Sequence, residues 1–175
     1  MKPLYPLGLR LEGLPVLVVG GGSVATRRVP ALLDAGAEVR LVSPELTPAL
    51  RAIADAGRLA WTARAFEPAD ADGVWLIQVA VDDHEAAATV RAAAAARRLF
   101  CVRADDRTAA TAWTPAVTRH GPVTVAVLAG GEPRRAAAAR SGAPPRSPLA
   151  REQAHQPCHS EPDQDERIEP GGRHV

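Results

Sequence analysis

Three consecutive glycines, Gly20-Gly-Gly22, stand directly between the apolar run Leu14-Pro-Val-Leu-Val-Val19 and the segment Ser23-Val-Ala-Thr-Arg-Arg28. A buried strand that feeds a tight glycine turn and then a helix accounts for all three pieces. Glycine has no Cβ, so the backbone can take positive φ and come close to a ligand, while the unpaired N–H groups that open a helix attract anionic oxygens. The spacing Gly20-x-Gly22-x-x-Ala25 fits the dinucleotide fingerprint, in which a small third residue lets helix and strand pack closely. Glycine turns also serve merely to reverse a chain, but the strand before this one and the helical pattern after it favour a phosphate cradle.

The order of elements that follows predicts a parallel sheet. Over 24–35, Val24, Leu32 and Leu33 recur with a helical rhythm among small residues, and Gly36 supplies the stop. Pro30 lies beyond the first turn, where loss of a backbone donor costs roughly 3 kcal/mol in a regular helix and predicts a kink. Glu38-Val-Arg-Leu-Val42 reads as a second strand, 48–56 as a short helix stopped by Gly57, and Leu59-Ala-Trp-Thr-Ala63 as a third strand. Val74-Trp-Leu-Ile-Gln-Val79 is apolar enough for a strand buried on both faces, near the sheet centre. Asp82 and Asp83 read as capping groups for an alanine-rich helix over 85–98, whose terminal arginines also suit the helix dipole. Strands over 99–102 and 123–128 then complete a doubly wound, Rossmann-like α/β domain.

Composition limits what else the chain can be. Its 175 residues suffice for one domain and an appendage. With 46% hydrophobic residues but only 3% aromatic ones, the core must be built from Ala, Val and Leu. A net charge of +1 gives no general attraction to nucleic acid or to a membrane surface. The proline-punctuated start Met-Lys-Pro-Leu-Tyr-Pro-Leu and the absence of a long apolar run predict a cytoplasmic protein. Cys101, inside Leu99-Phe-Cys-Val102, reads as a small core residue. Beyond Arg140 the large aliphatics shrink to Leu149, Ile168 and Val175 amid Pro, Ser, Gln, His and charge, which predicts a disordered tail over 141–175 after a domain over 1–140. His155, Cys158 and His159 lie in that tail without a fourth ligand, so no metal site is expected.

Several segments, in order, carry a resemblance to a family: Tyr5-Pro-Leu, Val18-Val-Gly-Gly-Gly-Ser-Val-Ala25 with Arg27-Arg28, Leu32-Leu-Asp-Ala-Gly-Ala-Glu-Val39, and Ser43-Pro-Glu-Leu46. They continue with Val79-Ala-Val-Asp-Asp83, Arg98-Leu-Phe-Cys101, Asp105, Pro115-Ala-Val117, Gly121-Pro-Val123 and Gly130-Gly-Glu-Pro-Arg134. From about 5 to 140 the chain resembles the nucleotide-binding domain of siroheme synthases, the precorrin-2 dehydrogenase and sirohydrochlorin ferrochelatase family. The resemblance implies NAD as cofactor, precorrin-2 and sirohydrochlorin as tetrapyrrole substrates, ferrous iron as a second substrate in some members, and a homodimer. It places Asp105 after a strand end, as the general base or proton acceptor when the substrate loses a hydride. Read from the residues alone, Asp105 is rather a turn cap with Asp106.

Cofactor contacts follow from the motif. Gly20 and Gly22 shape the turn, Ser23 and Val24 offer N–H groups to the pyrophosphate, Ser43, Pro44 and Glu45 lie beside the adenosine ribose, and Ala80 and Val81 form a loop passing the cofactor. Arg103, Arg119, Arg134 and Arg135 are candidates for the substrate's carboxylates, since guanidinium binds carboxylate at two points. His120 reads as a loop residue. The chain departs from the family in carrying Val81, Ala87 and Val102 where members have Thr, Asn and Asn, and Ala129 where some have a regulatory serine. The tail over 141–175 stands where the family has a helical region that forms the dimer and covers the tetrapyrrole; a shifted reading frame or a genuine short form would each explain it. An NAD-binding module without catalysis, and a chelatase without dehydrogenase activity, are the alternatives to a dehydrogenase.

Overall fold

Val16, Leu17, Val18 and Val19 are all buried, side chains of both parities alike, which is the condition of a strand covered on two faces. The computed structural model of the protein describes residues 4–103, 106 and 108–128. In it β1 (Pro15–Val19) is followed by α1 (Ser23–Asp34), β2 (Glu38–Val42), α2 (Pro48–Asp55) and β3 (Ala60–Thr62). A 3-10 helix (Pro68–Ala71) leads to β4 (Leu76–Val79), α3 (His84–Ala96) and β5 (Phe100–Arg103). These strands form one sheet in the order β3-β2-β1-β4-β5. Every pairing is parallel, with Val18 opposite Leu41 on one side and Gln78 on the other. The chain therefore winds outward from β1 twice, once to each edge, and the reversal falls between the ends of β1 and β4, where such sheets bind ligands.

Each face has its own core. Val16, Val18, Val39 and Leu41 pack with Ala25 and Val29 of α1 and Leu50 of α2. Leu17, Val19, Ile77, Val79 and Cys101 pack with Ala71 and with Ala87, Val90, Ala93 and Ala94 of α3. Small helix residues against branched strand residues let these helices sit close to the sheet, with the aromatics Trp61 and Phe66 only partly buried against the cores. Cys101 is buried, as its apolar setting predicts.

The helix boundaries follow local chemistry. Gly36 takes φ +78° and, with the Ala37 N–H donating to Leu32 O, closes α1. Gly57 at φ +69° does the same after α2. Asp83 Oδ1 accepts from the Ala86 N–H at 2.8 Å, so this aspartate caps α3. Pro30 lies inside α1 on its exposed side, and the helix continues past it to Asp34.

One strand departs from expectation. Val123–Val127 does not extend the parallel sheet; as β7 it pairs antiparallel with β6 (Ala116–His120) in a sheet of two strands. The reason is the turn between them. Gly121 takes φ +54° and Pro122 follows, which suits a two-residue type II′ hairpin, whereas joining the parallel sheet would need a crossover. The tail over 141–175, with Cys158, lies outside the described residues.

The crossover from β3 to β4 is pinned by charge. Arg64 grips Asp70 at two points, 2.8 and 2.7 Å, and Asp70 also accepts from the Glu67 N–H at 2.8 Å. The hydrogen bond from Arg64, with that backbone donor, holds the Asp70 carboxyl below its usual range against the opposing effect of partial burial. A carboxylate whose value is depressed on folding stabilises above its unfolded value, about 3.9, and loses that contribution as pH falls through the folded value. Asp70→Asn is therefore expected to lower Tm by about 2–4 °C at neutral pH, much of the ion pair being solvent-screened. The difference from the parent protein should close as melts are repeated at pH values below the carboxylate range.

Candidate functional site

The ends of β1, β2 and β4 meet at the glycine turn. The Gly20 N–H donates to Val42 O at 2.9 Å, and the Ala80 N–H donates to Val19 O at 2.8 Å, so the turn begins clamped between its two neighbours. Gly20 takes φ +107°, and a Cβ there would run into the carbonyl of Ala80 and meet Val81 Cγ1 at 3.1 Å. A Cβ on Gly21 would run into the carbonyl oxygen of Glu45 and come within 3.0 Å of Ser43 Oγ. On Gly22 it would meet nothing within 4 Å. The first two glycines are thus demanded by packing, and the third keeps space open in front of the helix.

That open position is the N-cap of α1, and no side chain caps it. The first N–H groups of the helix, those of Ser23 and Val24, have no intrahelical acceptor by construction and suit an anion placed at Gly22. The surrounding wall is tied down: the Thr47 N–H donates to Gly21 O at 3.0 Å, the Thr26 and Thr47 hydroxyls share a hydrogen bond at 2.7 Å, and Thr26 Oγ1 donates to Gly22 O at 2.9 Å. At the β2 tip Ser43 is buried, its carbonyl accepting from Trp61 Nε1 at 3.0 Å, while Pro44 and Glu45 are exposed. Arg51 lies over the Trp61 ring, 3.9 Å from its centroid, and braces the same corner.

Gly20, Gly22, Ser23, Val24, Ser43, Glu45, Ala80 and Val81 are therefore brought to one end of one sheet, with Pro44 on its rim. Gly21 is the residue that sequence reasoning missed. The fingerprint tests only its first and third glycines, yet the middle one faces the tightest approach. Arg103 ends β5 and is buried, its positive charge contributing to the lowered value of Asp106. The larger cause there is the Thr108 hydroxyl, which donates to Asp106 Oδ1 at 2.6 Å alongside the N–H groups of Thr108 and Ala109. Asp106 is thus a turn residue. Arg119 and His120 are exposed on β6. Asp105, Arg134 and Arg135 lie outside the described residues. Ala87 and Val102, where the resemblance expects asparagines, are buried in the two cores. Among the described residues no cluster of His, Cys, Asp and Glu could hold a metal, and no helix is long and apolar enough to cross a membrane.

A protein-family model described as "Putative NAD(P)-binding" matches residues 7–116, from ahead of β1 to the start of β6. The chain belongs to that family. It is 41% identical over 127 residues to Siroheme synthase 1 of Aeromonas salmonicida and 39% identical over 127 residues to Siroheme synthase 3 of Aeromonas hydrophila. Siroheme synthase 1 of Pectobacterium atrosepticum is 41% identical over 127 residues. In these alignments the chain spans only 26–27% of the relative's length. A solved structure named "SirC, precorrin-2 dehydrogenase" superposes with a TM-score of 0.64 at 24% identity, over 86% of this chain and 67% of that one. At that identity the likeness is one of fold.

The unequal roles of the glycines are testable. Gly22→Ala is expected to leave Tm within about 2 °C, because an Ncap glycine-to-alanine change is mild and the site has room. The same methyl fills the cradle, so equilibrium titration should show NADH affinity reduced about tenfold or more. Gly21→Ala should instead fail to fold or melt far lower.

Proposed function

We propose that this family member binds NAD and oxidises precorrin-2 to sirohydrochlorin. The observation that carries the reading is the convergence of three strand ends on an uncapped helix N-terminus, where of the three turn glycines Gly22 alone has free space for a Cβ. These residues suit a dinucleotide: Ser23 and Val24 would hold the pyrophosphate through backbone N–H groups, Ser43, Pro44 and Glu45 would flank the adenosine ribose, and Ala80 and Val81 would wall the passage between. Glu45 is the first acid beyond the β2 tip, which favours the 2′-hydroxyl of NAD over the 2′-phosphate of NADP. When bound, NAD supplies the hydride acceptor. The chain's own part is to bind the cofactor, to take a proton on Asp105 as the substrate gives up a hydride and a proton, and to meet substrate carboxylates with Arg103, Arg119, Arg134 and Arg135.

The siroheme synthase relatives support this substrate, and the precorrin-2 dehydrogenase neighbour supports the fold for it. We assign the nucleotide-binding unit to 1–140 and treat 141–175 as a separate tail, with a homodimer and a cytoplasmic setting as further parts of the reading. Insertion of ferrous iron into sirohydrochlorin is a second activity of the same proposal, iron being substrate there. Anaerobic incubation with precorrin-2 and NAD should yield NADH. Asp105→Asn should slow that reaction by on the order of 100- to 10,000-fold while NADH binding is kept. Binding without turnover by the parent protein would contradict the dehydrogenase and favour a binding module, as the apolar Val81, Ala87 and Val102 would suit. Supplied sirohydrochlorin and ferrous iron, followed by colour change, tests chelation on its own.

A further inference from the structure

Arg28 is a half-buried cation with no acid beside it among the described residues. Around an α-helix successive residues turn by about 100°, so Arg28 sits about 160° from Thr26. Thr26 faces α2, because its hydroxyl bonds that of Thr47, the α2 cap. Ala25 and Val29 point into the sheet. Arg28 consequently occupies the opposite flank of α1, and the strand order β2-β1-β4 places β4 on that side. Burial, and then the neighbouring positive charge of Arg27, lower the Arg28 value, and no carboxylate among the described residues offsets them. None of the hydrogen bonds or ion pairs among the described residues reaches it.

A second donor lacks its acceptor on the same face. Gln78 is 4% exposed in the middle of β4, and its Nε2 is buried with no partner among the described residues. Its neighbours two residues away on either side, Leu76 and Ala80, belong to the α1-side core, so Gln78 shares that face. Burying a polar donor unpaired costs about 1–3 kcal/mol, and a natural chain seldom leaves one so without use. Both orphans are donors. A group that answers both is rich in acceptor oxygen and, to satisfy Arg28, negatively charged.

We propose that Arg28 is a ligand for an oxyanion seated on the β4 side of the glycine cradle, a phosphate or carboxylate oxygen. Helix side chains lean toward the N-terminus, which biases the reach of Arg28 back along α1 toward the turn that opens at Gly22. The cofactor's phosphates and the substrate's carboxylates are the two sources of this chemistry, and the proposal rests on the function above only for the identity of those two molecules.

Thermal shift and equilibrium titration with pyrophosphate, citrate and NADH, on the parent protein, Arg28→Gln and Arg27→Gln, test it without requiring turnover. The parent should be stabilised by at least one of the small anions, and Arg28→Gln should weaken that binding about tenfold or more. Arg27→Gln, on an exposed neighbour, should leave it within about twofold, as expected of a solvated charge. Loss for pyrophosphate and NADH together identifies a cofactor phosphate; loss for citrate alone identifies a substrate carboxylate. Arg28→Lys should restore part of the binding, because charge survives while the two-point geometry does not. A parent protein stabilised by neither anion, or an Arg28→Gln protein that binds both as the parent does, overturns the inference. The dehydrogenase reading would be judged separately by NADH formation.

Discussion

Two backbone contacts govern this molecule: Gly20 against the carbonyl of Ala80, and Gly21 against the carbonyl of Glu45. Neither approach leaves room for a side chain. Because they join the ends of β1, β2 and β4, they convert a parallel sheet into a sheet with a closed, crowded end. The hydrogen bonds from Gly20 to Val42 and from Ala80 to Val19 carry the ladder up to that point. Of the three glycines, Gly22 alone leaves room for a Cβ, and it stands where the α1 N–H groups emerge. Site geometry here is therefore a by-product of packing, and the N–H donors are held without any need for side-chain rearrangement.

The rest of the fold supports that end. Small residues on α1 and α3 let both helices lie close to the branched strands, and the threonine pair Thr26–Thr47 holds α1 against α2 beside the cradle. On the far side, Arg64 and Asp70 secure the crossing by which the chain passes from the outermost strand to β4. Without that crossing β4 would not return beside β1, and Ala80 would not reach Gly20. Family membership agrees with this arrangement, since the residues matched by the family model, 7–116, cover all five parallel strands.

Legibility in the sequence tracks how strongly local chemistry agrees with burial. The five parallel strands are readable because the apolar runs of β1 and β4 and the alternation of β2 fall between the breaks at Gly36, Gly57 and the Asp83 cap, so pattern and punctuation coincide. The hairpin is half-readable: Val123–Val127 alternates well, but Ala116–His120 carries Thr, Arg and His and remains largely exposed, so nothing in its pattern distinguishes strand from loop. Only the Gly121-Pro122 turn determines the partner of Val123. In the site, the spacing of Gly20 and Gly22 is visible, whereas the demand on Gly21 arises from Glu45 and Ser43, residues brought to it by the return of β2. Arg28 illustrates the same limit, since whether a guanidinium has a counter-ion depends on neighbours that are distant along the chain.

The central claim is that these strand ends form a dinucleotide cradle, and its most direct measurement is a backbone amide titration of the isotope-labelled protein with NAD. The account predicts saturable shifts concentrated at Gly22, Ser23 and Val24, with smaller ones at Ser43, Ala80 and Val81, and none along α3. Shifts that do not saturate, or that cluster away from the β1, β2 and β4 ends, would contradict it.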